Sequence, residues 1–169
     1  MWRAKVNYVS LHKRAQIKNL QWLGLSILVI LLDQFTKSLV THYLFYGESI
    51  TILPIFNITL AHNTGSAFSF LASASGWQIW FFTAVSIIVS TALFIWIYRL
   101  PLGESWSAAA LSLILGGALG NLIDRLSYGY VIDFIHLHVA EWYWPDFNIA
   151  DSAICLGAFM LALILFRKN

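Results

Sequence analysis

Long apolar runs separated by short polar segments dominate the chain. Four of them, Leu20 to Val40, Trp77 to Tyr98, Trp106 to Leu126 and Ile149 to Phe166, approach the roughly 20 residues that a helix needs to cross a bilayer. The first is preceded by a basic leader, as a secretory signal would be. It runs instead into Asp33-Gln34-Phe35-Thr36-Lys37 with no small-residue cleavage site, which marks it as a retained helix. The connections 41–76 and 127–148 have a different texture. Ser49 to Leu60 (SITILPIFNITL) and Val131 to His138 (VIDFIHLH) carry β-branched residues in rough alternation, which predicts short strands lying on one membrane face. The pattern is that of a single integral membrane domain over residues 1–169, with no internal repeat and no low-complexity linker.

Composition agrees: 59% of the residues are hydrophobic and 11% charged, against roughly a quarter charged in a soluble domain. The formal charge of +2 is scattered, with no basic stripe to meet a nucleic acid, so no nucleic-acid partner is expected. The positions of the basic residues set the expected topology. Arg3, Lys5, Lys13, Arg14 and Lys18 precede the first run, Arg99 lies between the second and third, and Arg167-Lys168 follow the last, so eight of ten fall on one side if both termini are cytoplasmic. Of the acids, only Glu104 is assigned to that side. Both longer connections then face the periplasm across a bacterial inner membrane. Trp142, Tyr143, Trp144 and Phe147, with Trp77 and Trp80, supply an aromatic group suited to the headgroup level there.

Ionisable residues within spans are costly, and here they converge. Asp124 closes the third run, Asp151 opens the fourth, Asp133 enters from the loop between them, and Asp33 sits about 10 Å below the outer end of its helix with Lys37 one turn above. Two carboxyls sharing one proton are what an aspartic protease needs, one as base toward water and the other as acid toward the scissile carbonyl. Asp133 and Asp151 have suitable surroundings. Asn148-Ile-Ala-Asp151 can cap a helix and place Asp151 near its positive end, favouring ionisation. Val131, Ile132, Phe134 and Ile135 bracket Asp133, an apolar setting that favours the protonated form. Each signal also has a structural explanation: Asn-x-x-Asp as a capping box, Asp124-Arg125 as an interfacial ion pair, Asp33 with Lys37 as an i to i+4 pair.

Other constellations are weaker. His136-x-His138 would share a strand face by periodicity alone, and no third histidine is near in sequence, so no metal is expected. His62 reads as a hydrogen-bonding loop residue, Ser66 and Ser69 lack a nucleophile elbow, and Gly116-x-x-x-Gly120 with Asn121 reads as a helix-packing ridge. Cys155, the single cysteine, reads as core. Outward acids in membrane helices also suit a proton or cation transporter, but a relay would place acids near the midplane and on both sides. A non-catalytic assembly subunit would leave the outer acids without a role.

Five blocks taken together resemble a known family. Asp33-Gln34-x-x-Lys37, Asn63-Thr64-Gly65-x-Ala67-Phe68, Gly120-Asn121-x-x-Asp124-Arg125, Val131-x-Asp133-Phe134 and Phe147-Asn148-x-Ala150-Asp151-Ser152 are similar, in order, to the signature segments of lipoprotein signal peptidase, signal peptidase II. The resemblance implies an all-α membrane protein with four transmembrane helices, a small periplasmic β-cradle and a mobile periplasmic segment closing over the site. It implies Asp133 and Asp151 as the catalytic dyad. Asn63, Gly65, Asn121, Asp124, Arg125 and Asn148 match positions that shape the site and hold the substrate backbone, and Asp33 and Lys37 match a supporting pair. The implied substrate is a prolipoprotein whose cysteine carries diacylglycerol, cut just before that cysteine. Membrane lipid and globomycin-type inhibitors are the other implied partners, and no cofactor is implied.

Overall fold

The structure, a computed structural model, describes residues 18–65 and 76–168. Arg3, Lys5, Lys13 and Arg14 of the basic leader lie outside the described residues, as do residues 66–75 of the longer connection, including Ser66, Ala67, Phe68 and Ser69.

Among the described residues, four helices are long and apolar enough to cross a membrane: α1 (Leu23–Tyr43), α2 (Trp77–Arg99), α3 (Ser105–Tyr128) and α4 (Ile149–Lys168). Between α1 and α2 lie strands β1 (Ser49–Leu53) and β2 (Phe56–Asn63), and between α3 and α4 lie β3 (Val131–Val139) and β4 (Trp142–Tyr143). The fold class expected from the sequence is the one found, an all-α membrane protein carrying a small sheet.

α3 is the central helix, buried along most of its length and packed against α1, α2 and α4. Its small residues permit this. A Cβ added at Gly116 would stand 2.8 Å from the Ser26 carbonyl oxygen of α1, and one at Gly117 would stand 2.3 Å from the Ala150 carbonyl oxygen of α4. The expected glycine ridge thus has two sides, Gly116 and Gly120 toward α1 and Gly117 toward α4. α1, α2 and α4 turn large apolar side chains outward, such as Leu31, Trp80, Ile88 and Phe159, as helices bathed in lipid do. Toward its start α3 joins an apolar cluster of Leu93, Ile97, Leu100, Ala108, Leu111 and Leu115.

The strands form one antiparallel sheet in the order β1-β2-β3-β4. Val40 and Leu44 at the end of α1 pack with Leu60, Ile132 and Phe134, which seats the sheet against that end of the bundle. In the β2–β3 pairing Ala61 faces Asp133 and Asn63 faces Val131, with a bulge between Ile58 and Ala61. One further link matters for the site. Ile135 and Phe147 exchange backbone hydrogen bonds, Ile135 N–H to the Phe147 oxygen at 2.8 Å and Phe147 N–H to the Ile135 oxygen at 3.2 Å. The residue after Phe147 is the cap of α4, so β3 and the start of α4 are held side by side.

Candidate active site

The capping box foreseen at Asn148 is present. Its Oδ1 accepts the Asp151 N–H at 2.9 Å, and Asp151 Oδ2 accepts the Asn148 N–H at 3.2 Å. The box reaches further than a cap. Asn148 Nδ2 donates to Asp133 Oδ1 at 2.7 Å and also lies 3.2 Å from both the Ile132 oxygen and Asn121 Oδ1. One fully buried asparagine therefore touches the carboxylates of both Asp133 and Asp151. Each carboxylate has a second amide partner: Asn63 Nδ2 donates to Asp133 Oδ2 at 3.0 Å, and Asn121 Nδ2 to Asp151 Oδ1 at 2.8 Å. Gly65 acts on this set through Asn63, whose Oδ1 accepts the Gly65 N–H at 2.9 Å and so directs the amide nitrogen at Asp133.

Beneath the pair lies a buried charged hub. Lys37 Nζ spends its three donors on Asp33 Oδ2 at 2.8 Å, Asp124 Oδ2 at 2.8 Å and Asn121 Oδ1 at 3.0 Å. Both acids also accept a backbone N–H. Asp33 Oδ1 accepts the Ala150 N–H at 2.9 Å, and Asp124 Oδ2 also accepts the Ile132 N–H at 3.0 Å. Ala150 precedes Asp151 and Ile132 precedes Asp133, so each supporting acid grips the residue just before one member of the pair. The i to i+4 reading of Asp33 and Lys37 is correct but incomplete, because Asp124 is the second counter-charge. Asp124 pairs with Lys37 rather than with its neighbour Arg125, which corrects the ion-pair reading of that dipeptide. Asp33 also lies deeper than expected: α1 runs on to Tyr43, ten residues beyond it, or ~15 Å at the helical rise.

Arg125 points elsewhere. Its Nη1 lies 3.4 Å from Ser86 Oγ and from the Asn121 oxygen, with the guanidinium 5.7 Å from the Phe82 ring centre. It lines a cleft of about 700 Å³ between α2 and α4, floored by α3 and faced by Phe82, Val85, Val89 and Ile154. Asp151 stands at the sheet end of this cleft. Cys155, read as core, is exposed and lines the same cleft one turn along from Asp151, since α4 turns that face into the opening and not into the bundle.

Electrostatics differ between sequence neighbours. The Asp133 carboxyl, 2% exposed, is pushed up to about 7, chiefly by burial and next by the negative charge of Asp151, against the opposing pull of Asn63, Asn148 and Lys37. Burial holds His62 below the usual imidazole value. His136 Nδ1 bonds Asp146 at 2.5 Å, and the His136 and His138 ring centres are 5.8 Å apart.

Some participants were not assigned from sequence. Gln34 Nε2 donates to Asp124 Oδ1 at 2.8 Å and to the Gly120 oxygen at 3.2 Å, and its place in the Asp33-Gln34-x-x-Lys37 block was the available signal. Phe82, Ser86 and Asp146 carry no local signal, because only the packing of α2 and the sheet brings them to the cleft.

Comparison with known proteins fits this geometry. Residues 25–167 match the family model described as signal peptidase (SPase) II. A lipoprotein signal peptidase of Coxiella burnetii is 53% identical over 144 residues, 85% of this chain and 88% of the relative. One of Pseudomonas aeruginosa is 53% identical over 152 residues, 89% of this chain and 90% of the relative. Two solved structures of a bacterial membrane enzyme superpose with TM-scores of 0.76 and 0.78, at 32% and 31% identity. Each covers 88% of this chain, with 88% and 94% of the solved chains matched. This chain, with its four membrane-spanning helices and capped sheet, belongs to the signal peptidase II family of peptidases.

Proposed function

We propose that this protein is an aspartic endopeptidase that removes the signal peptide from diacylglyceryl-modified prolipoproteins, cutting just before the lipidated cysteine, with Asp133 and Asp151 as its catalytic pair. The observation that carries this is the single asparagine, Asn148, bonded to both carboxylates at the point where an apolar cleft meets the sheet. In the mechanism, Asp151 is the ionised partner, favoured by two donors and by the start of α4, and takes a proton from the attacking water. Protonated Asp133 donates to the scissile carbonyl oxygen as the water oxygen bonds to carbon. Collapse of the tetrahedral adduct returns the carbonyl, breaks the C–N bond and delivers a proton to the leaving amine of the cysteine. The cleft between α2 and α4 receives the apolar signal segment and the acyl chains from the side, so the membrane supplies part of the positioning. Arg125 and Asn63 hold the substrate backbone, and globomycin-type peptides compete for the same cleft.

On this reading the sheet end is periplasmic and both termini are cytoplasmic in the bacterial inner membrane. Cysteine substitution at Glu141, in a background lacking Cys155, then labels from outside the cell.

The deciding experiment is cleavage of a diacylglyceryl-modified prolipoprotein by purified enzyme in nanodiscs. Asp133→Asn and Asp151→Asn each lower the rate by at least ~10³, the scale of acid–base catalysis, while the protein still inserts. Normal turnover by either folded variant removes the pair from the mechanism.

A further inference from the structure

Among the described residues lining the apolar cleft, Arg125 carries the only formal positive charge, and no described carboxylate lies within ion-pair distance of it. The acids around it are engaged elsewhere. Asp124 pairs with Lys37, Asp133 accepts from Asn63 and Asn148, and Asp151 accepts from Asn121 and Asn148. The polar contacts of the guanidinium are neutral and long, to Ser86 Oγ and the Asn121 oxygen at 3.4 Å each, and both run through Nη1. Its remaining partner is a ring. The Phe82 ring centre lies 5.7 Å from the guanidinium carbon, inside the ~6 Å over which an aromatic face attracts a cation. Phe82 and Ser86, one turn apart on α2, both line the cleft. Phe81 meets the Phe82 ring edge-on with ring centres 5.3 Å apart, a contact that restrains how the Phe82 ring turns.

We infer that Phe82 is a positioning residue: its ring face holds the Arg125 guanidinium on the α2 side of the cleft, off the Asp151 carboxylate, and leaves Nε and Nη2 to donate to a substrate carbonyl. The inference rests on the peptidase reading above, in which Arg125 holds the substrate backbone. Asp151, Asp124 and Asp133 all attract the guanidinium from a distance. A carboxylate that captured it would occupy the same fork of N–H donors that a peptide carbonyl needs. An aromatic face acts differently, because it attracts the charge and takes up none of the N–H donors. A leucine at this position would fill much of the space and exert no such pull. Phe82 thus serves the reaction through Arg125, and its ring electrons, not its bulk alone, set how well the substrate is held.

The test uses the full-length enzyme in nanodiscs with a diacylglyceryl-modified prolipoprotein, and replaces Phe82 by 3,4,5-trifluorophenylalanine. Fluorination keeps the ring and drains the negative charge from its face. KM should rise at least ~5-fold with kcat within ~2-fold, the pattern of lost binding and not of lost chemistry. Phe82→Leu should raise KM at least as far, and Phe82→Tyr, which keeps the face, should recover most of that loss. If Phe82→Leu does not fold, the fluorinated enzyme decides alone. A ring that only lined the cleft would give the opposite result, since fluorine makes it more apolar toward an apolar signal segment. The second arm repeats the substitution in Arg125→Gln and reads the Kd of a substrate analogue with a ketomethylene in place of the scissile amide, so that no turnover is needed. There the fluorine effect should shrink to under ~2-fold. An unchanged KM in the fluorinated enzyme, a loss confined to kcat, or a fluorine effect that persists without the Arg125 charge overturns the inference. Failure of the underlying reading looks different: the substrate is uncut by the wild type, or is cut normally by Asp133→Asn.

Discussion

Near its start α3 sets Ala108, Leu111 and Leu115 against Leu93 and Ile97 of α2, and near its end it sets Asn121 and Asp124 against Lys37 of α1 and the first turn of α4. The first contact is non-directional, and any apolar set of about the right volume would serve it. The second leaves no choice of partner. Lys37 has three donors and three acceptors, Asn148 contacts two carboxylates, and Asp33 and Asp124 each hold the backbone one residue before a member of the pair. A shift that the apolar end absorbs by sliding would at the sheet end leave a buried polar atom unpaired. The same helix thus has one end that supplies adhesion and another that supplies geometry, and substitutions at the two ends should fail differently.

The largest contrast comes from Lys37→Met. It keeps the bulk of the side chain and leaves Asp33 and Asp124 buried without a counter-charge, a loss on the order of 3–5 kcal/mol. Thermal unfolding in detergent should show that loss, and cleavage should fall at least ~100-fold even where the protein is folded, because both backbone grips slacken together. A stable, fully active Lys37→Met would show that the hub neither supports nor positions the pair.

A matched pair of glycines sharpens the comparison further, since both lie at contacts between α3 and α4. A Cβ at Gly117 meets the Ala150 oxygen at 2.3 Å, next to Asp151, and one at Gly157 meets the Ala110 oxygen at 2.5 Å, toward the apolar end. Alanine at either site should cost about 1–3 kcal/mol of overpacking strain. Only Gly117→Ala displaces the turn bearing Asp151, so it should lower kcat by ~10-fold or more, with Gly157→Ala within ~3-fold at a temperature where both are folded. Equal kcat losses would mean that strain anywhere along α4 reaches the site.

The same contrast explains what could be read from sequence. Lipid demands uninterrupted apolar runs, so the spanning segments were visible as composition alone. The acids stood out because an apolar chain has few of them, and the apolar bracket of Asp133 correctly forecast a raised pKa. The partners of those acids were not visible. Lys37 meets Asp124 from another helix, and Asn63 reaches Asp133 because of a β2–β3 register containing a bulge. Asp146, lying two residues before a cap, carries no local signal, and only packing sets it against His136 and between two cavities. Local pattern reports what a segment is made of, and directional bonds between distant segments leave no periodic trace.

The smallest expected effect separates the two ends by pH. Asp133 has an ordinary carboxyl value near 4 when unfolded and about 7 when folded, so between those limits the folded protein keeps a proton that the unfolded chain has released. Stability therefore falls as pH rises from about 4 to about 7 and is flat on either side, by at most a few kcal/mol at ~1.4 kcal/mol per pK unit. The alkaline limb of activity should lie in the same region, where the shared proton leaves, although its apparent value belongs to the coupled pair. Melting curves in detergent from pH 4.5 to 8 should show Tm dropping for the wild type and a flatter course for Asp133→Asn, which keeps the shape of the side chain without the charge. Gly157→Ala should lower the whole curve and leave its slope alone, because the apolar end binds no proton. If Asp133→Asn keeps the wild-type slope, the pH-sensitive group lies elsewhere, and burial of Asp133 is not what ties the stability of the sheet end to its protonation.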